Sequence, residues 1–274
     1  PIIKLEANRF YEKYKYFAPS SRVVALERLA HDEQFRPYRS PFFFGLYAFE
    51  KEFIHIPDYV KSYLTDITTE DAKKIMCFLA LVTSFSQMSL TDYLIKGILS
   101  LQGKRPLHLN EIFGEGPSRL ILHRDQKARI VHPLIAQEIL KQLLASNNTK
   151  EEWKTRLVDL SCLFIESLVN IAGPESTIVL EILSQMFVSR DPWQERTDRR
   201  RNFSELILEI PNDAGQHRIL QKLKDFCHNE AHFWNHLGRH HIYVMRSKYD
   251  EAEKCLTRAI ELDSKNDVHY HALG

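Results

Sequence analysis

Residues 233–274 read FWNHLGRHHIYVMRSKYDEAEKCLTRAIELDSKNDVHYHALG, and this stretch decides the fold because it contains an internal repeat. The pattern W-x-x-L-G at 234–238 recurs 36 residues later as Y-x-x-L-G at 270–274. Between the two copies, small and apolar residues follow a helical spacing at Ala252, Leu256, Ala259 and Ile260. The stretch therefore predicts a pair of antiparallel helices, followed by the first helix of a second pair.

The period is close to the 34 residues of a tetratricopeptide unit. The two additional residues fit in the turn at 245–248. In such repeats the first helix lines a concave groove that binds a partner. We therefore expect a partner-binding face composed of His232, Asn235, Arg239 and Tyr243. A plain solvated face is the alternative interpretation of the same residues.

Histidines recur every four residues at 228, 232, 236 and 240, a spacing that on one continuous helix suits zinc. Three observations oppose a metal site. The repeat needs a turn at 229–231, no carboxylate or cysteine completes a ligand set at metal spacing, and HNEAH differs from the HExxH motif. We expect no metal site here.

The segment at 148–212 is predicted to be a helical connector. Its first helix buries Trp153, Leu157, Leu160, Phe164 and Leu168 and stops at Gly173. A polar loop at 189–203 carries the basic cluster Arg196, Arg199, Arg200 and Arg201 near Trp193. Interleaved acidic residues cancel much of the positive charge of this cluster, so we do not expect nucleic acid as a partner.

The segment at 68–147 has the element order of a winged helix: three helices, a hairpin and a helix. Thr68 is the expected N-cap of the first helix, because acidic residues follow it at 70 and 71. Alternating apolar residues on either side of the polar turn at 124–127 predict the hairpin, and Pro133 begins the last helix.

The first 67 residues are predicted to be a small helical domain. Prolines at 37 and 41 interrupt the chain before an aromatic helix that contains Phe43, Leu46 and Tyr47. The expected fold class is thus mainly α, with a winged-helix domain that includes a small β-hairpin and the start of a tetratricopeptide-like α-solenoid. The four segments are 1–67, 68–147, 148–212 and 213–274, the last of them truncated.

Composition excludes several function classes. The 274 residues include 37 Lys and Arg against 36 Asp and Glu, so no net field attracts nucleic acid or anionic lipid. Glycine is scarce, and the only sequence close to a P-loop, at 103–105, has Arg105 where Ser or Thr would hold magnesium. We therefore expect no catalytic site in this segment.

Cysteine usage and the chain ends bear on location. The four cysteines are far apart and lie in apolar helical patterns, which favours a reducing compartment. No apolar run is long enough to span a membrane and no signal peptide is apparent, so we expect a cytoplasmic protein with no membrane partner. Because residue 1 is Pro and the last repeat is incomplete, we expect the chain to be part of a longer protein.

Three stretches carry a resemblance to a known family: FRPYRSPFFFGLYAFEKEF at 35–53, RIVHPLIAQEIL at 129–140 and FWNHLGRHHIYV at 233–244. In that order they resemble the part of a STAND-type P-loop ATPase that follows its nucleotide-binding core: helical lid, winged helix, helical connector and tetratricopeptide repeats. The closest likeness is to bacterial antiphage STAND proteins and to animal sterile-alpha-motif antiviral proteins. The resemblance covers nearly the whole chain in order.

This resemblance implies a regulatory and sensing segment in antiviral defence. An upstream P-loop domain would hold ADP at rest, with the winged helix closed over it. A protein trigger, for which a viral protein is one candidate, would bind the repeats and permit ATP exchange and homo-oligomerisation. ATP or ADP would thus be the cofactor of the upstream domain, and the full-length protein would be an ATPase with a separate effector domain.

The resemblance also implies nucleotide-binding residues. His132 occupies the place where STAND winged helices present a histidine to the β-phosphate of ADP; the alternative is that His132 only caps the following helix. Arg39 and Pro41 lie in the lid segment that would approach the nucleotide from the opposite side. A surface arginine beside a proline turn is the alternative interpretation of Arg39.

Two other functions remain open. STAND activators with tetratricopeptide repeats include transcriptional regulators, and a plain tetratricopeptide scaffold needs no nucleotide. A regulator would need a DNA-binding domain elsewhere or an unconventional winged helix, since the predicted recognition helix here carries Glu111 and Glu115.

Overall fold

The structure, a computed structural model, describes residues 3–50, 53, 55–86, 88–101, 106–145, 152–189 and 203–273. The chain divides into two compact units, Pro1–Thr65 and Asp66–Gly274. The division lies within two residues of the predicted boundary at 67. The boundaries that the sequence places at 147 and 212 fall inside the second unit. Over the described ranges there are sixteen α-helices and one small antiparallel sheet, which confirms the mainly α class.

The first unit is helical throughout its described part. Its elements are α1 (Lys4–Tyr14), α2 (Ser20–His31), a 3₁₀ helix (Glu33–Tyr38), α3 (Pro41–Phe49) and α4 (Ile56–Leu64). Its core contains Leu26, Leu29, Phe43 and Phe44, which are at most 1% exposed. Phe10 stacks on Phe44 with ring centroids 5.6 Å apart, and this contact joins α1 to α3.

The second unit begins with a three-stranded sheet and the helices around it. The elements are α5 (Glu70–Phe85), β1 (Leu90–Thr91), α6 (Asp92–Ile98), α7 (Leu109–Phe113), α8 (Glu115–Ser118), β2 (Ile121–Arg124), β3 (Lys127–Ile130) and α9 (Pro133–Leu144). The strand order is β1-β3-β2, and both pairings are antiparallel. This order of helices and strands is that of a winged helix. β1 was not predicted, because a strand of two residues is too short to show alternation.

Local signals explain where these elements begin and end. Thr69, and not Thr68, is the N-cap of α5, since its hydroxyl accepts from the backbone N–H of Ala72. The tight turn between β2 and β3 places both Asp125 and Gln126 at positive φ, 52° and 57°, as a type I′ hairpin turn requires. The buried hydroxyl of Thr83 on α5 accepts from the N–H of Ile130 and joins the helix to β3.

The long helix α10 (Glu152–Ala172) is followed by α11 (Thr177–Phe187) and α12 (Glu205–Glu209). With 21 residues, α10 is about 31 Å long. It packs against α5, α6 and α9 and also against α13 (Asp213–Phe226). At its end, the hydroxyl of Tyr93 donates to the carbonyl of Ile171, 3.0 Å away, and Gly97 leaves no space between α6 and the Ile171 side chain.

The chain continues through the predicted helical pair. After α13 come α14 (Ala231–His240), a π-helical turn (His241–Met245), α15 (Tyr249–Leu262) and α16 (Asp267–Leu273). The turn ends at Arg246, whose φ of 52° is left-handed. α14 packs on α15, and α16 packs on both. The structure therefore has the predicted order of one antiparallel pair followed by a third helix.

Candidate functional site

The pair α14 and α15 is held together by a close helix crossing. A Cβ atom at Gly238 would lie 2.8 Å from Cγ of Leu256 and 3.2 Å from the backbone oxygen of Ala252. Phe233 and Leu237, each 1% exposed, fill the same interface from α14. The glycine of the repeat is thus required by packing, because any side chain would separate the two helices.

The four residues of the predicted partner-binding face differ in exposure. His232 is exposed and Tyr243 is partly exposed. Asn235 and Arg239 are only 2% and 7% exposed. Their spacing places His232, Asn235 and Arg239 along one side of α14, and Tyr243 follows in the π-helical turn. The face therefore has two accessible residues at its ends and two largely enclosed polar residues between them.

Asn235 connects α14 to α16. Its amide nitrogen lies 2.7 Å from Nδ1 of His269, and the rings of His232 and His269 have centroids 5.6 Å apart. Burial lowers the pKa of His269, His232 lowers it further, and Asp263 opposes the shift. A neutral His269 then accepts from the Asn235 amide through Nδ1. No pattern in the sequence points to His269, because its contact with α14 depends on how α16 packs.

Arg239 is buried without an ionic partner in the described part of the chain. Its guanidinium carbon lies 5.9 Å from the centre of the Tyr243 ring, a cation–π distance. It forms neither a hydrogen bond nor an ion pair with any described residue.

His132 is the N-cap of α9. Its Nδ1 accepts from the backbone N–H of Leu134, 3.2 Å away, and burial lowers its pKa. A neutral imidazole with Nδ1 as acceptor has its hydrogen on Nε2. The capping role is therefore present in the structure, and the phosphate-sensing role that the resemblance implies stays a prediction.

Arg39 lies at the end of the 3₁₀ helix, and all three of its nitrogen atoms have partners inside the first unit. Nε donates to the carbonyl of Leu29, one terminal nitrogen to Glu33, and the other to the carbonyl of Asp32, at 3.0–3.2 Å. Pro41 is the first residue of α3, where its missing N–H costs nothing. This geometry gives Arg39 a structural role, and its use for a nucleotide remains a prediction.

A cavity of about 410 Å³ opens beside the start of α9. It is lined by the end of α5, the first turn of α9 and α12, including the carboxylates of Glu205 and Glu209. Glu209 is paired with Lys154 at 2.9 Å. The wall that α12 contributes thus carries one carboxylate paired with a lysine and a second carboxylate, that of Glu205.

Three histidines meet where α13, α14 and the π-helical turn pack together. The ring of His217 stacks on His240 at 6.0 Å and lies 5.1 Å from that of His241. Nε2 of His240 donates to the side-chain oxygen of Gln216. The Nδ1 atoms of all three rings are buried without a hydrogen-bond partner. We refer to these three residues, His217, His240 and His241, as the histidine cluster.

Burial is the main reason why the histidine cluster is neutral at pH 7. It lowers the pKa of His240 to about 4, with His217 and His241 adding to the effect. It also lowers the pKa values of His217 and His241, and Lys248 contributes to both shifts. The sequence did not point to His217, because it lies outside the four-residue spacing and on another helix.

Within the described ranges, no group of three or more His, Cys, Asp or Glu residues is arranged to hold a metal ion. The basic cluster at 196–201 and Trp193 lie outside the described residues. So does the near-P-loop sequence at 103–105. In the part of the chain that the structure covers, no helix combines the length and apolar character needed to cross a membrane.

The winged-helix region has a short helix at the place of a recognition helix. α7 has five residues, about 7.5 Å in length, and carries Glu111. Arg124 and Lys127 are exposed on the hairpin. α7 is thus short and carries an acidic residue, and a basic hairpin alone contacts phosphates without reading bases, so the expectation of no nucleic-acid partner stays a prediction.

Comparison with known proteins gives no relative: no protein-family model, curated protein or solved structure matches this chain.

Proposed function

We propose that this chain is the regulatory and sensing segment of a STAND-type ATPase. We propose further that it binds a protein trigger through the face formed by His232, Asn235, Arg239 and Tyr243, which we call the α14 face. The observation that carries the proposal is the packing of α14, α15 and α16, which leaves His232 of α14 exposed and Tyr243 of the following turn partly exposed. Stacked helical pairs use this side of their first helices to bind extended partners.

The order of elements supports the wider assignment. A helical unit comes first, a winged-helix arrangement follows, and α10 links it to the C-terminal helices. In the proposed mechanism an upstream P-loop domain holds ADP, and His132 donates to its β-phosphate in the closed state. The protein acts in the cytoplasm, in antiviral defence, and assembles into homo-oligomers after exchange to ATP.

The energetics limit what a trigger must do. A trigger that binds closed and open states equally well cannot shift their populations. Changing a ratio of 1:99 to 99:1 requires a difference in binding free energy of about 5.5 kcal/mol. The trigger must therefore contact surface that differs between the two states, and the α14 face must be more accessible in the open one.

Panning of a phage library of random 12-residue peptides against the chain tests the binding face. Selected peptides should lose at least about tenfold in affinity for a His232→Ala/Tyr243→Ala variant. A matched control, Glu253→Ala/Lys254→Ala, changes two exposed residues on the far side of α15 and should bind normally. Peptides that bind all three proteins alike, or no selected peptides at all, would contradict the proposed binding face.

Two substitutions at His132 separate capping from phosphate sensing in the full-length ATPase. His132→Ala removes both the cap and the imidazole, whereas His132→Asn retains a good capping side chain. If His132 senses ADP, both variants release ADP faster and oligomerise more readily than the wild type. If only His132→Ala differs, and only in stability, His132 is a cap and the sensor proposal is wrong.

A further inference from the structure

Arg239 presents an electrostatic problem that the described part of the chain does not solve. The residue is 93% buried, and within the described residues its guanidinium has a cation–π contact with Tyr243 but no hydrogen bond or ion pair. Taking a cation out of water is costly unless an anion or several acceptors replace the lost hydration. At Arg39 this desolvation cost is offset, because each of its nitrogen atoms donates to a hydrogen-bond acceptor.

The guanidinium of Arg239 is enclosed but not sealed. Seven buried side-chain atoms without partners occur in the described residues, and no nitrogen of Arg239 is among them. Its nitrogen atoms therefore retain contact with solvent, while the aliphatic stem is covered. Arg239 stands four residues after Asn235 and four before Tyr243, and its guanidinium lies beside the partly exposed Tyr243 ring, so it belongs to the α14 face.

We infer that Arg239 receives the side-chain carboxylate of an Asp or Glu residue in the bound protein trigger. The Tyr243 ring holds the guanidinium in one orientation, and a planar guanidinium binds a carboxylate through two parallel hydrogen bonds. A single cation matches the single charge of a carboxylate. A phosphate group carries close to two charges and would need a second cation, and the other residues of the face are Asn235, His232 and Tyr243.

The geometry also favours a side chain over a chain terminus. Only 7% of Arg239 is exposed, so the opening above it is narrow. A carboxylate at the end of one or two methylene groups can enter such an opening, whereas a terminal carboxylate must bring its backbone with it. The trigger segment is therefore an internal acidic stretch that crosses the α14 face.

This inference rests on the proposed function, and the experiment distinguishes the two. The peptide library is panned in parallel on the wild-type chain, on Arg239→Met and on Arg258→Met. Arg258 is a matched control, an exposed arginine of α15 paired with Glu261. Wild-type and control selections should share an acidic position that is lost with Arg239→Met.

A double-mutant cycle then tests the pairing directly. One selected peptide is synthesised with both ends blocked, as its Glu or Asp form and as the matching amide. The amide should bind the wild-type chain about tenfold or more weakly, because a charged hydrogen bond is lost. For Arg239→Met the two peptides should bind alike. Equal binding of both peptides to the wild type overturns the inference.

The outcomes separate the claims. If the selected peptides need His232 and Tyr243 for binding but share no acidic position, only the role of Arg239 is overturned. An absence of face-dependent peptides overturns the proposed binding face and this inference with it. Melting temperature gives an independent readout, since Arg239→Met should leave it unchanged or higher when no internal anion is lost. A marked decrease in melting temperature would show that the guanidinium is satisfied within the chain and would also overturn the inference.

Discussion

At the scale of single residues, two buried arginines show how differently the same side chain can be used. Arg39 is 2% exposed and is surrounded by acceptors, two of which are backbone carbonyls. Arg239 is 7% exposed and has an aromatic ring as its only described contact. The first arrangement stabilises the fold, whereas the second keeps a binding capacity at some cost in stability.

Replacement of Arg39 should therefore destabilise the first unit. Arg39→Ala leaves the carbonyls of Leu29 and Asp32 without a donor, and we expect a loss of about 3 kcal/mol in the free energy of unfolding. Guanidinium denaturation followed by circular dichroism measures this. Arg36→Ala, a change at an exposed residue of the same 3₁₀ helix, is the control and should shift stability by less than about 0.5 kcal/mol. Equal effects of the two changes would contradict the structural role.

At the scale of elements, close helix contacts depend on glycine. Gly238→Ala places a methyl group 2.8 Å from Leu256, which is 1% exposed and has no space to move into. Although alanine is the better helix former, we expect a net loss of about 1–3 kcal/mol. Gly45→Ala in α3 is the control, because its Cβ would meet no atom within 4 Å, and it should stabilise its unit by up to about 1 kcal/mol. Urea denaturation of both variants measures these differences.

The histidine cluster makes the packing of α13 on α14 dependent on pH. The groups that face it are Gln216, Lys224, Lys248, Glu251 and the ring of Phe203. The unfolded chain protonates histidine near pH 6.5, whereas burial lowers the pKa of His240 to about 4. Stability from His240 is thus complete above pH 6.5 and is lost as the pH falls towards 4, by about 3 kcal/mol in total.

Thermal unfolding between pH 7.5 and 4, followed by tryptophan fluorescence, checks this pH dependence. His240→Leu should flatten the decline in melting temperature on acidification, because it removes a buried group that must otherwise bind a proton on unfolding. His228→Leu, at an exposed position, should leave the slope unchanged. If the melting temperatures of both variants fall as steeply on acidification as that of the wild type, the histidine cluster does not control stability in acid.

What the sequence predicts at this scale depends on how local the signal is. The hairpin at 121–130 follows from alternation around a polar turn, and the α14 and α15 pair follows from helical spacing. β1 could not be predicted, since two residues carry no periodicity. The burial of Asn235 and Arg239 also could not, because it depends on how α14 packs against elements distant in the sequence. For the same reason, the spacing of histidines along α14 gave no indication of His217 on α13.

At the scale of the whole molecule, the division into two units predicts separable unfolding. The three tryptophans, Trp153, Trp193 and Trp234, all belong to the second unit. Tryptophan fluorescence therefore reports only that unit, whereas far-ultraviolet circular dichroism reports both. Arg39→Ala should shift part of the dichroism transition and leave the fluorescence transition in place. Coincident shifts of both signals would show that the units unfold as one.

The contacts at the end of α10 have a mechanical consequence. The Tyr93 hydroxyl is hydrogen-bonded to the carbonyl of Ile171, and Gly97 packs directly against the Ile171 side chain. α6 and the last turn of α10 are therefore in close contact. Packed interiors are nearly incompressible and transmit displacement instead of absorbing it. A displacement of α10 where α13 packs on it would therefore be transmitted to α6 through the contacts of Tyr93 and Gly97 with Ile171.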